Sequence, residues 1–259
     1  MKIVEEKFNR YGEKDYDESY INWGFDDLDG QIVVAEKILN LVPNANSILD
    51  VACGIGRYHQ VWLEKGILVT GIDISETFLQ YARDNNKDYA NAAYLVCAFD
   101  DLDFFELFDL VTFTDAVGLT GKATHNIYRA LKPGGVFVYE LWNENYYKYH
   151  DHVRHKDHQT WTEEGGVYHL IRHKYNKVTS TNEHEEVIFD VPNDTMVIKD
   201  NLNSKYVNMY SHIQILEAAG FTHVHFVDYD GNDFNPVNDQ VQRFFMIGQK
   251  QFYGTSEEK

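Results

Sequence analysis

The stretch that most constrains this chain is Ser47-Ile48-Leu49-Asp50-Val51-Ala52-Cys53-Gly54-Ile55-Gly56-Arg57-Tyr58. Ile48, Leu49 and Val51 read as a short buried strand with Asp50 near its tip, and the small residues after it turn the chain into a helix. Gly54 and Gly56 permit dihedrals that a side chain forbids and let a ligand come against the main chain. The amino end of the following helix leaves N–H groups without intrahelical partners. Strand, glycine turn and helix in that order build a crevice for a nucleotide-type ligand.

The surroundings narrow the class of ligand. A dinucleotide fingerprint needs a third glycine where helix and strand pack closely, and the chain has His59 at that offset. No Gly-Lys-Ser/Thr follows, so the P-loop pattern fails as well. A carboxylate at the strand tip repels a pyrophosphate and suits a cationic ligand. Leu68-Val69-Thr70-Gly71-Ile72-Asp73-Ile74 is a second apolar strand, and Asp73 stands where α/β nucleotide sites hold ribose hydroxyls. Later, Leu131-Lys132-Pro133-Gly134-Gly135 precedes another apolar run.

In this order and spacing the three segments resemble class I S-adenosylmethionine-dependent methyltransferases, from roughly 32 to 143 and more loosely to the C-terminus. That family's first motif is acid-x-Gly-x-Gly-x-Gly, and Ala52 stands in for the first glycine. S-adenosylmethionine carries an ammonium and a sulfonium and no phosphate, in keeping with Asp50. The resemblance implies S-adenosylmethionine as cofactor and S-adenosylhomocysteine as product. The cofactor residues it implies are Tyr20, Asp50, Ala52, Cys53, Gly54, Gly56, Asp73, Ile74, Ala98, Phe99 and Asp115. Ala98 replaces the acid usual in the adenine-contacting segment, which leaves the Phe99 N–H and ring, or the Asp100 carboxylate, to meet the adenine.

Alternation of apolar strands (47–51, 67–72, 93–97, 108–114, 135–141) with helices (31–41, 56–65, 75–86, 121–131) implies parallel βαβ units. Right-handed crossovers bring the strand C-termini to one edge, where ligands bind. Ser75 is the expected N-cap of its helix, with Phe78, Leu79 and Ala82 facing inward. The expected fold is α/β, a Rossmann-like doubly wound seven-stranded mostly parallel sheet with an antiparallel β insert after the fifth strand. Insert strands are expected at 167–175, 185–191, 195–199 and 205–209. A returning helix at 211–219, capped by Ser211 and ended by Gly220, leads to closing strands at 223–229 and 241–249. This divides the chain into an N-terminal lid segment (1–30), a cofactor-binding core (31–143), a β-rich insert covering the active site (144–210) and a completion of the core sheet (211–259).

On the acceptor side, Tyr16-Asp17-Glu18-Ser19-Tyr20 resembles the lid of small-molecule methyltransferases, with Tyr11 nearby. The segment Thr114-Asp115-Ala116-Val117-Gly118 lacks the Asn/Asp-Pro-Pro-Tyr/Phe of enzymes that methylate planar nitrogens. It is closer to aminosugar-type N-methyltransferases, although Leu119 stands where those carry an aromatic residue or histidine. Glu140 and Trp142 share a face by the period of two. The expected substrate contacts are Tyr11, Glu140 and Trp142, and the expected catalytic carboxylates are Asp115 and Glu140.

A formal net charge of −18 disfavours a phosphate-rich partner, so no nucleic acid is expected. No apolar run approaches the ~20 residues a membrane span needs, and the charged Met1–Glu6 is not expected to act as a signal peptide. With two cysteines outside any pair motif, a reducing cytoplasm is expected, with Cys53 and Cys97 as small spacers. His150, His152, His155, His158, His169 and His173 show no metal-ligand spacing, so no metal is expected. The resulting expectation is methyl transfer to nitrogen or oxygen of a small-molecule acceptor, with a homodimer left open. The alternatives are a non-catalytic S-adenosylmethionine- or S-adenosylhomocysteine-binding protein and a tRNA or protein methyltransferase.

Overall fold

The computed structural model describes residues 2–6, 28–114, 118–143, 158–176, 181–205, 209–235 and 240–252. In chain order the elements begin with β1 (Lys2–Glu6), α1 (Leu28–Leu41), β2 (Ser47–Val51), α2 (His59–Glu64), β3 (Leu68–Asp73), α3 (Glu76–Asn85) and β4 (Ala92–Val96). They continue with β5 (Phe108–Phe113), α4 (Gly121–Ala130), β6 (Leu131–Trp142), β7 (His158–Glu164), β8 (Val167–Asn176), β9 (Thr181–Asp190) and β10 (Thr195–Lys205). Helix α5 (Met209–Ala219) and strands β11 (Thr222–Val227) and β12 (Arg243–Gln249) complete the chain. Two compact units result: one of Tyr11–Trp142, Met209–Asn235 and Arg243–Lys259, the other of Met1–Arg10, Asn143–Asn208 and Pro236–Gln242.

The larger unit is built on a seven-stranded sheet in the order β11-β12-β6-β5-β2-β3-β4. Neighbours from β6 to β4 are parallel, and β12 runs antiparallel to both β6 and β11. The chain passes from β2 outward to β3 and β4, then returns to β5 and β6 on the other side of β2. That reversal opens a crevice at the carboxyl ends of β2 and β5, where ligands of doubly wound sheets bind.

Strand alternation divides the core into two layers. Phe113, Phe137 and Tyr139 pack with Ala123, Ile127, Leu216 and Phe221 from the side of α4 and α5. Ile48, Leu110, Val138 and Phe245 pack with Ala35, Ile38, Trp62 and Leu63 from the side of α1 and α2. Trp62 Nε1–H donates to the Ala35 carbonyl (3.1 Å) and ties α2 to α1. The Leu-Lys-Pro-Gly-Gly segment lies at the opposite edge from the crevice. Lys132 Nζ donates there to Asp109 Oδ1 (2.8 Å) and Ser47 Oγ (3.1 Å), fastening the starts of β2, β5 and β6.

Several expected boundaries move for local reasons. Helix α2 starts only at His59, because the turn before it holds Gly54 and Gly56 at positive φ. Ser75 does cap α3, its Oγ accepting from Phe78 N–H (3.1 Å), with Phe78, Leu79 and Ala82 buried. Helix α5 begins two residues before Ser211, so Ser211 sits inside it and is not its cap. Gly220, at φ +106°, lies just beyond its end.

The smaller unit is a five-stranded sheet ordered β1-β10-β9-β8-β7. It is antiparallel except where β1 lies parallel to β10. Gly165 and Gly166, both at positive φ, form the two-residue turn between β7 and β8 that a hairpin twist favours. The strand expected at 195–199 runs on to Lys205 as β10, with a register shift between Lys199 and Leu202, whereas of the strand expected at 205–209 residues 206–208 lie outside the described residues and Met209 belongs to α5. Strands β1 and β7 were not expected, both being short and rich in charged and polar residues.

Candidate functional site

The turn beyond β2 is fastened to β3 by Cys53 N–H, which donates to the Ile72 carbonyl (2.9 Å). Ala52 (φ +55°), Gly54 (φ +54°) and Gly56 (φ +70°) all adopt the left-handed region. For Ala52, which carries a Cβ, this conformation costs roughly 1 kcal/mol or more. The two remaining glycines are needed for different reasons. A Cβ on Gly54 would meet nothing within 4 Å, so the backbone faces open space there. A Cβ on Gly56 would lie 2.7 Å from His59 Nδ1, so that position is closed from behind.

Asp50 does not point into this space. It is 2 % exposed, and both oxygens are engaged: Oδ2 lies 3.0 Å from His59 Nε2, and Oδ1 accepts from Thr112 Oγ1–H (2.7 Å). His59 is fully buried, stacked on Tyr94 with its Nδ1 2.9 Å from the Tyr94 hydroxyl. Burial, then the charges of Asp50 and Asp73, push the Cys53 thiol well up. That holds it protonated and in keeping with a spacer.

Asp73, at the tip of β3, braces the turn. Its Oδ2 accepts from Gly54 N–H (2.8 Å) and its Oδ1 from Ser75 N–H (2.9 Å). Next to it Ile74 is 51 % exposed, as is Val96 at the tip of β4 to a similar degree, giving two apolar side chains open to solvent at adjacent strand ends. Ala98 leads into a single helical turn, its carbonyl accepting from Asp101 N–H (2.8 Å), and Phe99 packs edge-on against Phe113. The Asp100 carboxylate accepts from the Thr120 hydroxyl.

Glu140 and Trp142 do share a face of β6, but Glu140 is 2 % exposed and turned inward. It accepts from the Tyr229 hydroxyl and pairs with Arg243 Nη1 (3.5 Å). The Arg243 guanidinium lies 3.6 Å from the centre of the Trp142 ring, with Arg243 directly opposite Trp142 in the β6–β12 ladder. At this strand end Arg243 and Trp142 form a half-buried stack, and Glu140 pairs with Arg243. Tyr11, Tyr20 and Asp115 lie outside the described residues. Among the described residues no three metal-ligating side chains come together, and no helix is long and apolar enough to cross a membrane.

Sequence reasoning missed His59, Tyr94, Thr112, Tyr229 and Arg243. His59 was visible as the residue that broke the dinucleotide pattern. Tyr94 and Thr112 carried no signal, being 35 positions from His59 and 62 from Asp50.

Residues 48–135 match the model of a methyltransferase domain family. The matched stretch runs from β2 into β6. Over 111 residues the chain is 35% identical to the malonyl-[acyl-carrier protein] O-methyltransferase of Salmonella typhimurium, covering 40% of this chain and 43% of that protein. Over 136 residues it is 28% identical to the dTDP-3-amino-3,4,6-trideoxy-alpha-D-glucopyranose N,N-dimethyltransferase of Streptomyces venezuelae, covering 49% and 55%. The matched stretch thus spans about half the length of these curated relatives. The chain also shares its fold with solved structures. An S-adenosylmethionine-dependent methyltransferase from Clostridium acetobutylicum superposes with a TM-score of 0.66 at 15% identity, over 90% of this chain and 99% of that one. DesVI from Streptomyces venezuelae does so with a TM-score of 0.58 at 20% identity, over 91% and 96%.

Proposed function

We infer that this chain transfers a methyl group from S-adenosylmethionine to a nitrogen or oxygen of a small-molecule acceptor. The observation that carries the reading is the turn at Gly54, open on its ligand side, between carboxylates at the tips of β2 and β3 within the segment that matches the methyltransferase domain family. The residues present fit this cofactor. The open space at Gly54 admits a ligand against the backbone, Asp73 is partly exposed beside it, and Ile74 and Phe99 offer apolar walls.

When bound, S-adenosylmethionine supplies an activated methyl group. The protein's part is to bind, to orient and to exclude water. Asp73 would hold the ribose hydroxyls while bracing the turn, and Asp50 would act through its field from below. Asp115 follows the tip of β5 in sequence and is the proposed partner of an amine acceptor. Glu140 works indirectly, by fixing Arg243 against Trp142, so that this stack presents an aromatic and cationic surface to the acceptor. Relatives named as a dTDP-aminosugar N,N-dimethyltransferase and as a malonyl-[acyl-carrier protein] O-methyltransferase both occur, which supports a small-molecule or small-group acceptor and leaves nitrogen and oxygen as alternatives.

The test is a metabolite-extract screen with isotopically labelled methyl donor and mass identification of the labelled product, preceded by calorimetric titration with S-adenosylhomocysteine. Binding with turnover on an amine or alcohol supports the reading. No binding of donor or product overturns it, and binding without turnover on any acceptor favours a sensor that has kept the fold.

A further inference from the structure

On the α1 side of the larger sheet, the edge strand β11 borders a cavity of about 490 Å³. Its floor is aliphatic, with Val136, Val227 and Ile247 from three adjacent strands, and His223 and His225 line it from β11. None of the residues placed in the cofactor crevice lines it. We propose that His223 and His225 form a binding site for a divalent late transition-metal ion such as Zn²⁺, each ligating through Nε2. The inference does not depend on the S-adenosylmethionine reading above.

Side chains two positions apart on a strand return to the same face. Here the β11–β12 ladder shifts register between Thr222 and His225, and His223 takes φ +52°. A bulge of this kind re-aims a side chain. Left-handed backbone at a residue with a Cβ is uncommon and recurs at ligand clamps. Both rings accordingly open on the one cavity.

Hydrogen-bond bookkeeping fixes which nitrogen of each ring is left for a ligand. His225 Nδ1 lies 2.7 Å from the His223 carbonyl, which can only accept, so Nδ1 carries a hydrogen. Thr222 Oγ1 donates its single hydrogen to the Gln249 carbonyl (3.2 Å). His223 Nδ1, 3.3 Å from that hydroxyl oxygen, must therefore be the donor of the pair. These assignments hold in either charge state of the rings, because only Nε2 gains or loses the proton. A carbonyl or hydroxyl on Nδ1–H is the outer support that orients a metal-ligating imidazole. The metal competes with a proton for the Nε2 lone pair, so binding itself selects the neutral ring. Imidazole suits zinc, copper and nickel. Asp230, on the same wall, pairs with Lys37. The protein's share is thus two imidazoles, with water in the remaining positions, an open site rather than a closed structural one.

The experiment is calorimetric titration of Zn²⁺ alone into the full chain, with Cu²⁺ read in parallel by electron paramagnetic resonance. The variants are His223→Gly, His225→Gln and the two combined. Glycine accepts the left-handed backbone at 223, so His223→Gly is expected to fold and to delete only the ring. The chain has twelve histidines, so the reading is a difference between proteins. Wild type is expected to take up one Zn²⁺ that the double variant does not, and each single variant to weaken it by more than about tenfold. Thr222→Val removes the hydroxyl that holds His223 Nδ1 and should weaken it by less. At the same equivalent Cu²⁺ should show two imidazole nitrogens in wild type and one in each single variant. Equal metal uptake by wild type and the double variant overturns the inference. So does inorganic phosphate binding that depends on the two histidines while no metal binds. A chain that takes up the metal as described but binds no S-adenosylhomocysteine overturns the donor reading and leaves this inference standing.

Discussion

Gly71 illustrates how residue-scale packing governs the site. It lies in the middle of β3, where glycine is otherwise unfavourable. A Cβ there would sit 2.8 Å from both Cys53 Sγ and His59 Cε1 and 3.0 Å from Tyr94 Cδ1. Gly71→Ala is therefore expected to cost about 1–3 kcal/mol of stability by overpacking and to weaken cofactor binding, as read by urea unfolding and calorimetry. At Asp73 the two backbone donors it accepts from, Gly54 and Ser75, would be left without it. Asp73→Ala should lower stability and cofactor affinity together, by roughly 1–3 kcal/mol in affinity, and an unchanged affinity in titration would contradict its role. Glu140→Gln takes the charge from a buried partner of Arg243 and Tyr229. It should cost about 1.5–3 kcal/mol in urea unfolding and leave cofactor affinity nearly unchanged.

At the scale of elements, α5 carries a buried histidine against β6. His212 is 5 % exposed, its ring edge-on to Tyr139 and its Nδ1 without a hydrogen-bond partner. Burial pulls its pKa down to about 4. Between there and the ordinary value near 6.5 the unfolded chain binds a proton that the folded chain refuses, so stability rises with pH across that window. It is lost as pH falls through the window toward the folded value, by at most about 3 kcal/mol. Unfolding midpoints measured across that range should show this slope in the wild type and a reduced slope in His212→Phe. The β2, β5 and β6 strand starts depend instead on Lys132, whose bonds, with those of Ser47 and Asn46, hold the Asp109 carboxyl below its usual range. The Leu-Lys-Pro-Gly-Gly segment, a family signature in the sequence, therefore reads as a structural clasp at the far edge of the sheet rather than as part of the site.

For the whole molecule, 41 acidic against 23 basic side chains give a net charge of −18. Self-repulsion at that charge destabilises the compact state and is screened by salt. Raising ionic strength from about 10 mM to about 0.5 M should accordingly raise the thermal midpoint, and an unchanged or lowered midpoint would show that local pairs outweigh the overall field. The sequence alone determined the strand–turn–helix at 47–58, the acids at 50 and 73 and the alternation that makes the sheet. Each is a local pattern in which a glycine, a strand period or a helix cap is legible from its neighbours. The exchange of partners was decided only in three dimensions. Asp50, read as a ligand grip, is spent on His59 and Thr112, and Glu140, read as a substrate carboxylate, is spent on Tyr229 and Arg243. A buried charge must find hydrogen-bonding partners. Apart from His59, nine positions from Asp50, those partners arrive from 62 to 103 positions away, at separations no local pattern encodes.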